Sequence, residues 1–443
     1  MSLDEMVKRY VVTTAQKGAT INKGFYDNLK NYCQVNKAEL LILPTSGKSI
    51  LDEEVGLHPD LQQHSIITTE YKLNNSIRIS NYALKPQQIL PLTGLKRFAQ
   101  GDKSFIFAST KQQLQYVANS YDLIPKAIMT TGSITNPRYN ENNRIGRIAT
   151  KDHEIGAIIV EIEDSKYFHH RYIKANKKGD FYDLGIPYTN NKKEGQIPYL
   201  IMGDLHPHHT DPKHYKLTIK QLKELKPENL VLHDAFNGVS ISHHYKGKLI
   251  EQNKVYLSQG LNLEKELRET VKSINGLAEH VDTVYIVKSN HDEHLERYLQ
   301  EGRFIEDVPN QKVGAELFLE ALQGKDPLQV GLQRYGLANN VVLLQRDDNL
   351  KYKNVQLGNH GDLGANGGRA SPRSIEEANG SSVTGHTHTV IKLRDTYSVG
   401  TSTYPRIGYN RGYSNWVQAN AIINIDGSIQ ILNNIKGKYK LWN

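Results

Sequence analysis

Five short polar segments carry the residues that could do chemistry. GDLH (203–206) supplies Asp204 and His206, and HDAFNG (233–238) supplies Asp234. SNHDE (289–293) supplies Asn290, His291 and Asp292, GNHGD (358–362) supplies His360, and GHTH (385–388) supplies His386 and His388. Imidazole and carboxylate without thiolate suit Mn, Fe, Zn or Mg rather than a cysteine-bound structural zinc. Asp204, His206, Asp234, Asn290, His360, His386 and His388 are too many ligands for one ion with an open position, and about right for two. Two ions about 3.5–4 Å apart can share a carboxylate and a water, and clamp both oxygens of an in-line displacement.

Such residues need rigid platforms. Each segment follows an apolar run: IPYLI before Asp204, NLVL before Asp234, TVYIV before Asn290, NVQL before His360 and SSVT before His386. The runs predict buried strands, whose ends can converge although distant in sequence. In open α/β sheets the crevice beyond strand ends is where sites form. Between them, 211–225 and 261–281 have helical spacing, and the last hundred residues read as strands.

The first part of the chain also reads as α/β. Strands are predicted at 9–15, 38–44, 104–110, 127–134 and 156–163, with helices at 22–37 and 110–121. The polar stretch 175–196 reads as a turn-rich connector and a domain boundary. The expectation is an accessory N-terminal α/β domain over 1–195, shaping substrate access or building an oligomer, and a catalytic domain over 196–443.

The 443 residues give a prior of two to three domains. No run reaches the roughly 18 apolar residues of a membrane helix, and the N-terminus has no apolar signal core. Cys33 alone cannot form an internal disulfide, and its spacing from Phe25 and Leu29 predicts a buried thiol. The expected compartment is the cytoplasm. The net charge is +8, compatible with a polyanionic partner. Thirteen of the 18 histidines lie in 196–443, so metal chemistry is expected there.

In order, spacing and residue type, the five segments resemble the five blocks of the calcineurin-like metallophosphoesterase superfamily: D-x-H, GD, GNH[DE], a lone H and GHxH. The resemblance covers 197 to the end. It implies a four-layer α/β sandwich of two mixed sheets flanked by helices. It also implies that Asp204, His206 and His388 hold one ion, that Asn290, His360 and His386 hold a second, and that Asp234 bridges them. His291 would protonate the leaving oxygen, Asp292 would orient it, and a metal-bridging hydroxide would attack phosphorus. His233 and Ser289 stand where the family has glycine, and Asn237 where many members have a second Asp.

The superfamily cleaves many phosphoesters, so the substrate must come from elsewhere. The basic chain, its basic and aromatic stretch YPRIGYNRGYSNW (404–416), and a layout similar to SbcD-type repair nucleases lean toward DNA. The whole chain also resembles phage-encoded members, including early nucleases that degrade host DNA. The expected activity is therefore a metal-dependent DNase, endo- or exonucleolytic, acting in the infected host's cytoplasm. Two Mn ions are expected, with Mg, Fe or Zn as substitutes, and the resemblance to dimeric nucleases implies a homo-oligomer. His208, Arg369, Arg373, Arg406 and Arg411 are candidate substrate contacts. His169, His170, His243 and His244 read as surface or satisfied polar residues. The alternatives are a small-substrate phosphodiesterase or phosphomonoesterase, and a nucleic-acid-binding protein with a structural metal site.

Overall fold

A computed structural model describes residues 8–46, 54–120, 124–189, 195–245, 247–407 and 410–441. Tyr409, one of the aromatic residues singled out above, lies outside them. The chain is mixed α/β. Its three larger sheets have six, ten and five strands.

The six-stranded sheet sets up half of the candidate site. Tyr199–Ile201, Asn229–Leu232, Thr283–Val287 and Val341–Leu344 pair in parallel. Ala419–Ile423 and Ile429–Asn433 close the other edge antiparallel. Side chains alternate between faces, as strand geometry requires. Tyr199 and Ile201 enter the core between sheets, while Leu200 and Met202 turn the other way. That second face packs on helices including Pro212–Leu225, Leu263–Ala278, Glu293–Gln300 and Gln311–Leu322. Asp211 and Asn262 cap two of these helices with side-chain oxygens.

The ten-stranded sheet faces it across a common apolar layer, which also contains residues of the five-stranded sheet. In the ten-stranded sheet Val355–Gln356, Ser381–Thr384 and Thr396–Ser398 pair in parallel. The helix Pro372–Asn379, started by a Ser371–Ser374 capping box, packs against it.

The expected division at 195/196 is not a division between sheets. Ile391–Leu393 pairs antiparallel with Gln112–Val117, so strands from the first part of the chain complete a sheet that the last part begins. Unpaired, each of those strands would expose a row of backbone donors and acceptors. The segment predicted as a helix at 110–121 is therefore the strand Gln112–Val117, paired on both sides. Here long-range pairing overrides local spacing. The presumed connector 175–196 contains the hairpin Phe181–Asp183 and Ile186–Tyr188, with Phe181 fully buried. Cys33 is half-buried against the core beneath Lys23–Asn36. No helix among the described residues is long and apolar enough to cross a membrane.

Candidate metal centre

Parallel strands point the same way, so their carboxyl ends share an edge. Asp204 and His206 follow Tyr199–Ile201, Asp234 follows Asn229–Leu232, and Asn290 and His291 follow Thr283–Val287. From the facing sheet, His360 follows Val355–Gln356, and His386 and His388 follow Ser381–Thr384. Backbone bonds knit these ends together. The Leu205 and His206 amides donate to the His233 and Asp234 carbonyls, and the Gly385 amide donates to the His360 carbonyl.

The side chains form two triads that share one residue. His206, Asp234 and His388 make one, and Asp204, Asp234 and His360 make the other, all buried. Asp234 Oδ2 is 3.1 Å from His206 Nε2, and Oδ1 is 3.4 Å from His360 Nε2. Asp204 Oδ2 is 3.2 Å from His388 Nε2. The Nε2 atoms of His206 and His388 are 3.1 Å apart. The His386 amide donates to Asp204 Oδ1, and its ring lies 5.2 Å from that of His360.

Local backbone is strained to make this fit. His206, Asp234, His386 and His388 all have φ between 41° and 69°, the left-handed region that costs a non-glycine residue energy. Gly385 is obligatory, because a Cβ there would sit 2.1 Å from Asp204 Oδ1.

The donor set fits divalent ions. Asp204 Oδ2, Asp234 Oδ1, Asn290 Oδ1 and His360 Nε2 are buried without a hydrogen-bond partner. Such orphans are costly unless a cation satisfies them. Burial pushes His360 down to about 3 and His388 to about 4, so both are neutral lone-pair donors near pH 7. Burial and the neighbouring Asp234 hold Asp204 well above the usual carboxylate range. Burial alone would raise Asp234 too, but His360, His206 and His291 hold it well below.

His291 stands beside this centre, its ring 4.7 Å from that of His206. Its Nδ1 lies 3.2 Å from the Asn237 carbonyl, which fixes Nδ1 as the N–H donor and leaves Nε2 outside that bond. The orienting role expected of Asp292 thus falls to a backbone carbonyl. Asp292 is instead a buried brace, accepting from the Phe236 and Ser289 amides. Burial, then Asp234, pushes its carboxyl up to about 7.

The expected substrate contacts divide. Arg369 lines a cavity of about 270 Å³ with His386 and Trp416. His208 is turned away, its Nε2 2.8 Å from Glu269. Arg373 is exposed and pairs with Glu377 one helical turn on. Arg406 donates to the Asn119 and Gly412 carbonyls and braces a loop. Arg411 is exposed. These last four are not gathered around the two triads. His169 and His170 are buried strand residues rather than surface ones.

Two contributors escaped the sequence reading of the centre. Asn237 Oδ1 lies 3.1 Å from His206 Nδ1, while its carbonyl holds His291. Trp416 packs its ring 4.0 Å from that of His388. Asn237 stood out only as a departure from the family block. Trp416 read only as part of an aromatic stretch.

Over 467 aligned positions, 98% of this chain and 83% of the relative, the chain is 25% identical to Protein A1 of Escherichia phage T5. No family model matches the chain. No solved structure matches it. The chain is thus similar along nearly its whole length to a phage protein, and its fold brings buried histidines and aspartates together as possible metal ligands.

Proposed function

We propose that the chain is a dimetal-dependent phosphodiesterase that cleaves DNA, in a four-layer sandwich of the calcineurin-like kind. The observation that carries this reading is Asp234, whose two carboxylate oxygens face different histidines in two triads. A carboxylate so placed is suited to bridge two ions. Asp204, His206 and His388 would hold one ion, and Asn290, His360 and His386 the other. Manganese is the proposed pair, with magnesium, iron or zinc as substitutes.

Bound there, two divalent ions would supply an activated water and neutralise charge building on the phosphate. The chain's own residues do the rest. Held through Nδ1 by the Asn237 carbonyl, His291 would in its doubly protonated form give its Nε2 proton to the leaving oxygen and end as the neutral Nδ1–H tautomer. Asp292 locks the loop that carries His291. Arg369 is placed to pair with a phosphate oxygen beside His386.

The DNA substrate rests on the basic charge and on the likeness to a phage protein. Degradation of host DNA during infection is the corresponding role. Assembly into a homo-oligomer belongs to the same reading, supported by exposed Leu249, Ile250, Tyr256 and Leu257 on the helix Leu249–Gln259. One observation favours a second substrate class: the cavity beside His386 suits a small phosphodiester.

The test is cleavage of supercoiled plasmid and linear duplex by manganese-reloaded protein, with EDTA and His291→Ala controls. Manganese-dependent loss of DNA that vanishes in His291→Ala is expected. Intact DNA together with rapid turnover of bis-p-nitrophenyl phosphate would move the substrate to the small class.

A further inference from the structure

A third cluster of imidazoles lies beside the Asp234 centre and shares no residue with it. His243 and His244 come from the short turn His243–Tyr245, and His294 from the first turn of Glu293–Gln300. One nitrogen from each ring lies within 4.8 Å of the other two. The ring centroids are 4.0 Å apart for His243 and His244, 5.4 Å for His243 and His294, and 5.7 Å for His244 and His294. His294 is buried, His243 half-buried and His244 exposed, so the cluster runs from the interior to solvent.

Two details go beyond ring packing. His294 Nδ1 lies 3.4 Å from the Asn237 carbonyl, which makes Nδ1 the N–H donor and leaves Nε2 with a free lone pair. Metal-binding histidines are ordinarily oriented in this way by a backbone carbonyl. His243 Nδ1 is buried with no hydrogen-bond partner. The groove beside the rings is lined by Asn290, Glu293, Arg297 and Glu301, so a fourth coordination position would open toward it.

We propose that His243, His244 and His294 form a separate site for one divalent ion of the imidazole-preferring class, zinc or cobalt rather than magnesium or manganese. The chemistry follows from the donor set. Three imidazole nitrogens suit borderline ions and disfavour hard ones. Three histidines with an open fourth position are a stable tetrahedral arrangement for zinc. The site is joined to the Asp234 centre through one atom, because the Asn237 carbonyl that orients His294 also orients His291. The competing account is three rings packed on one another with no ion.

The experiment uses the full chain, stripped with chelator. Zinc bound per chain is counted after equilibrium dialysis, and cobalt binding is followed by visible absorption. The key variant is His244→Ala, whose exposed ring leaves no cavity behind. Each measurement is repeated in an Asp234→Asn background. His244→Ala is expected to hold one zinc fewer than its parent in both backgrounds, and to lose the intense absorption of tetrahedral cobalt, with unchanged circular dichroism. His294→Gln is expected to show the same loss, and if it unfolds, the exposed His244→Ala still decides. Equal zinc counts in parent and His244→Ala would overturn the proposal. Failure at the Asp234 centre would register differently, as an unchanged count on Asp234→Asn.

Discussion

Two buried clusters of charge in this chain are built on opposite principles. In the five-stranded sheet, Arg9 and Arg171 meet Glu161 at 2.8 and 3.0 Å, and Arg171 clasps Asp183 through two nitrogens at 2.5 and 2.7 Å. Tyr32, Gln430 and the Leu441 amide donate to the same two carboxylates. Two cations face two anions. Around Asp234, three buried aspartates (Asp204, Asp234 and Asp292) face histidines, two of which burial keeps neutral. The first cluster closes its own electrostatics. The second needs positive charge from outside. Burial of polar groups alone does not distinguish a site from a scaffold; the balance of charge does.

Substitutions should separate the two. The largest effect is expected from Asp234→Asn, with DNA cleavage falling at least about a thousandfold, or ~4 kcal/mol of barrier. Metal binding should fall with it, and the metal-free chain should lose stability in urea at neutral pH, because the histidines around Asp234 hold its carboxyl well below the usual range and so favour its charge in the folded state. His291→Gln should lower kcat by about a hundred- to ten-thousandfold with metal content intact. If metal were lost as well, His291 would be a ligand rather than an acid.

Arg171→Ala is the converse case. It should cost ~3–5 kcal/mol of unfolding free energy by leaving Glu161 and Asp183 buried and short of a partner. The metal count of the folded fraction should not change.

Acid should act on both clusters with the same sign and for different reasons. Burial would raise Glu161 and Asp183, but Arg171, with Arg9 for Glu161, holds both below the usual range. Their contribution is present above the unfolded carboxylate value near about 4 and is lost as pH falls through the lower folded values. At the metal centre Asp204 is held high, so protons compete with ions there and affinity should fall with pH while the fold persists. Metal affinity and unfolding free energy, measured across the same pH series, should therefore decline at different pH. The smallest effect is expected at His208→Ala, under about fivefold on cleavage, since its ring is engaged by the half-exposed Glu269 rather than by the two triads.

Much of the candidate centre was legible because histidines and aspartates at strand ends announce themselves locally. An apolar run followed by Asp-x-His or Gly-His-x-His needs only the neighbouring residues to be read, and the structure gathers Asp204, His206, Asp234, His360 and His388. The Asn237 carbonyl was not legible, because every residue carries a carbonyl and only the fold aims one at His291. The paired strands Gln112–Val117 and Ile391–Leu393 were not legible either, since nearly three hundred residues separate them. The Arg171 cluster was hidden for the same reason: Arg9, Glu161 and Asp183 meet only after folding.

The most direct test of the account is electron paramagnetic resonance of manganese-loaded protein, with manganese counted per chain. The account predicts two manganese ions in an exchange-coupled pair, and loss of that coupled signal in Asp234→Asn. A single ion, or two ions with uncoupled spectra that Asp234→Asn leaves unchanged, would contradict a centre bridged by Asp234.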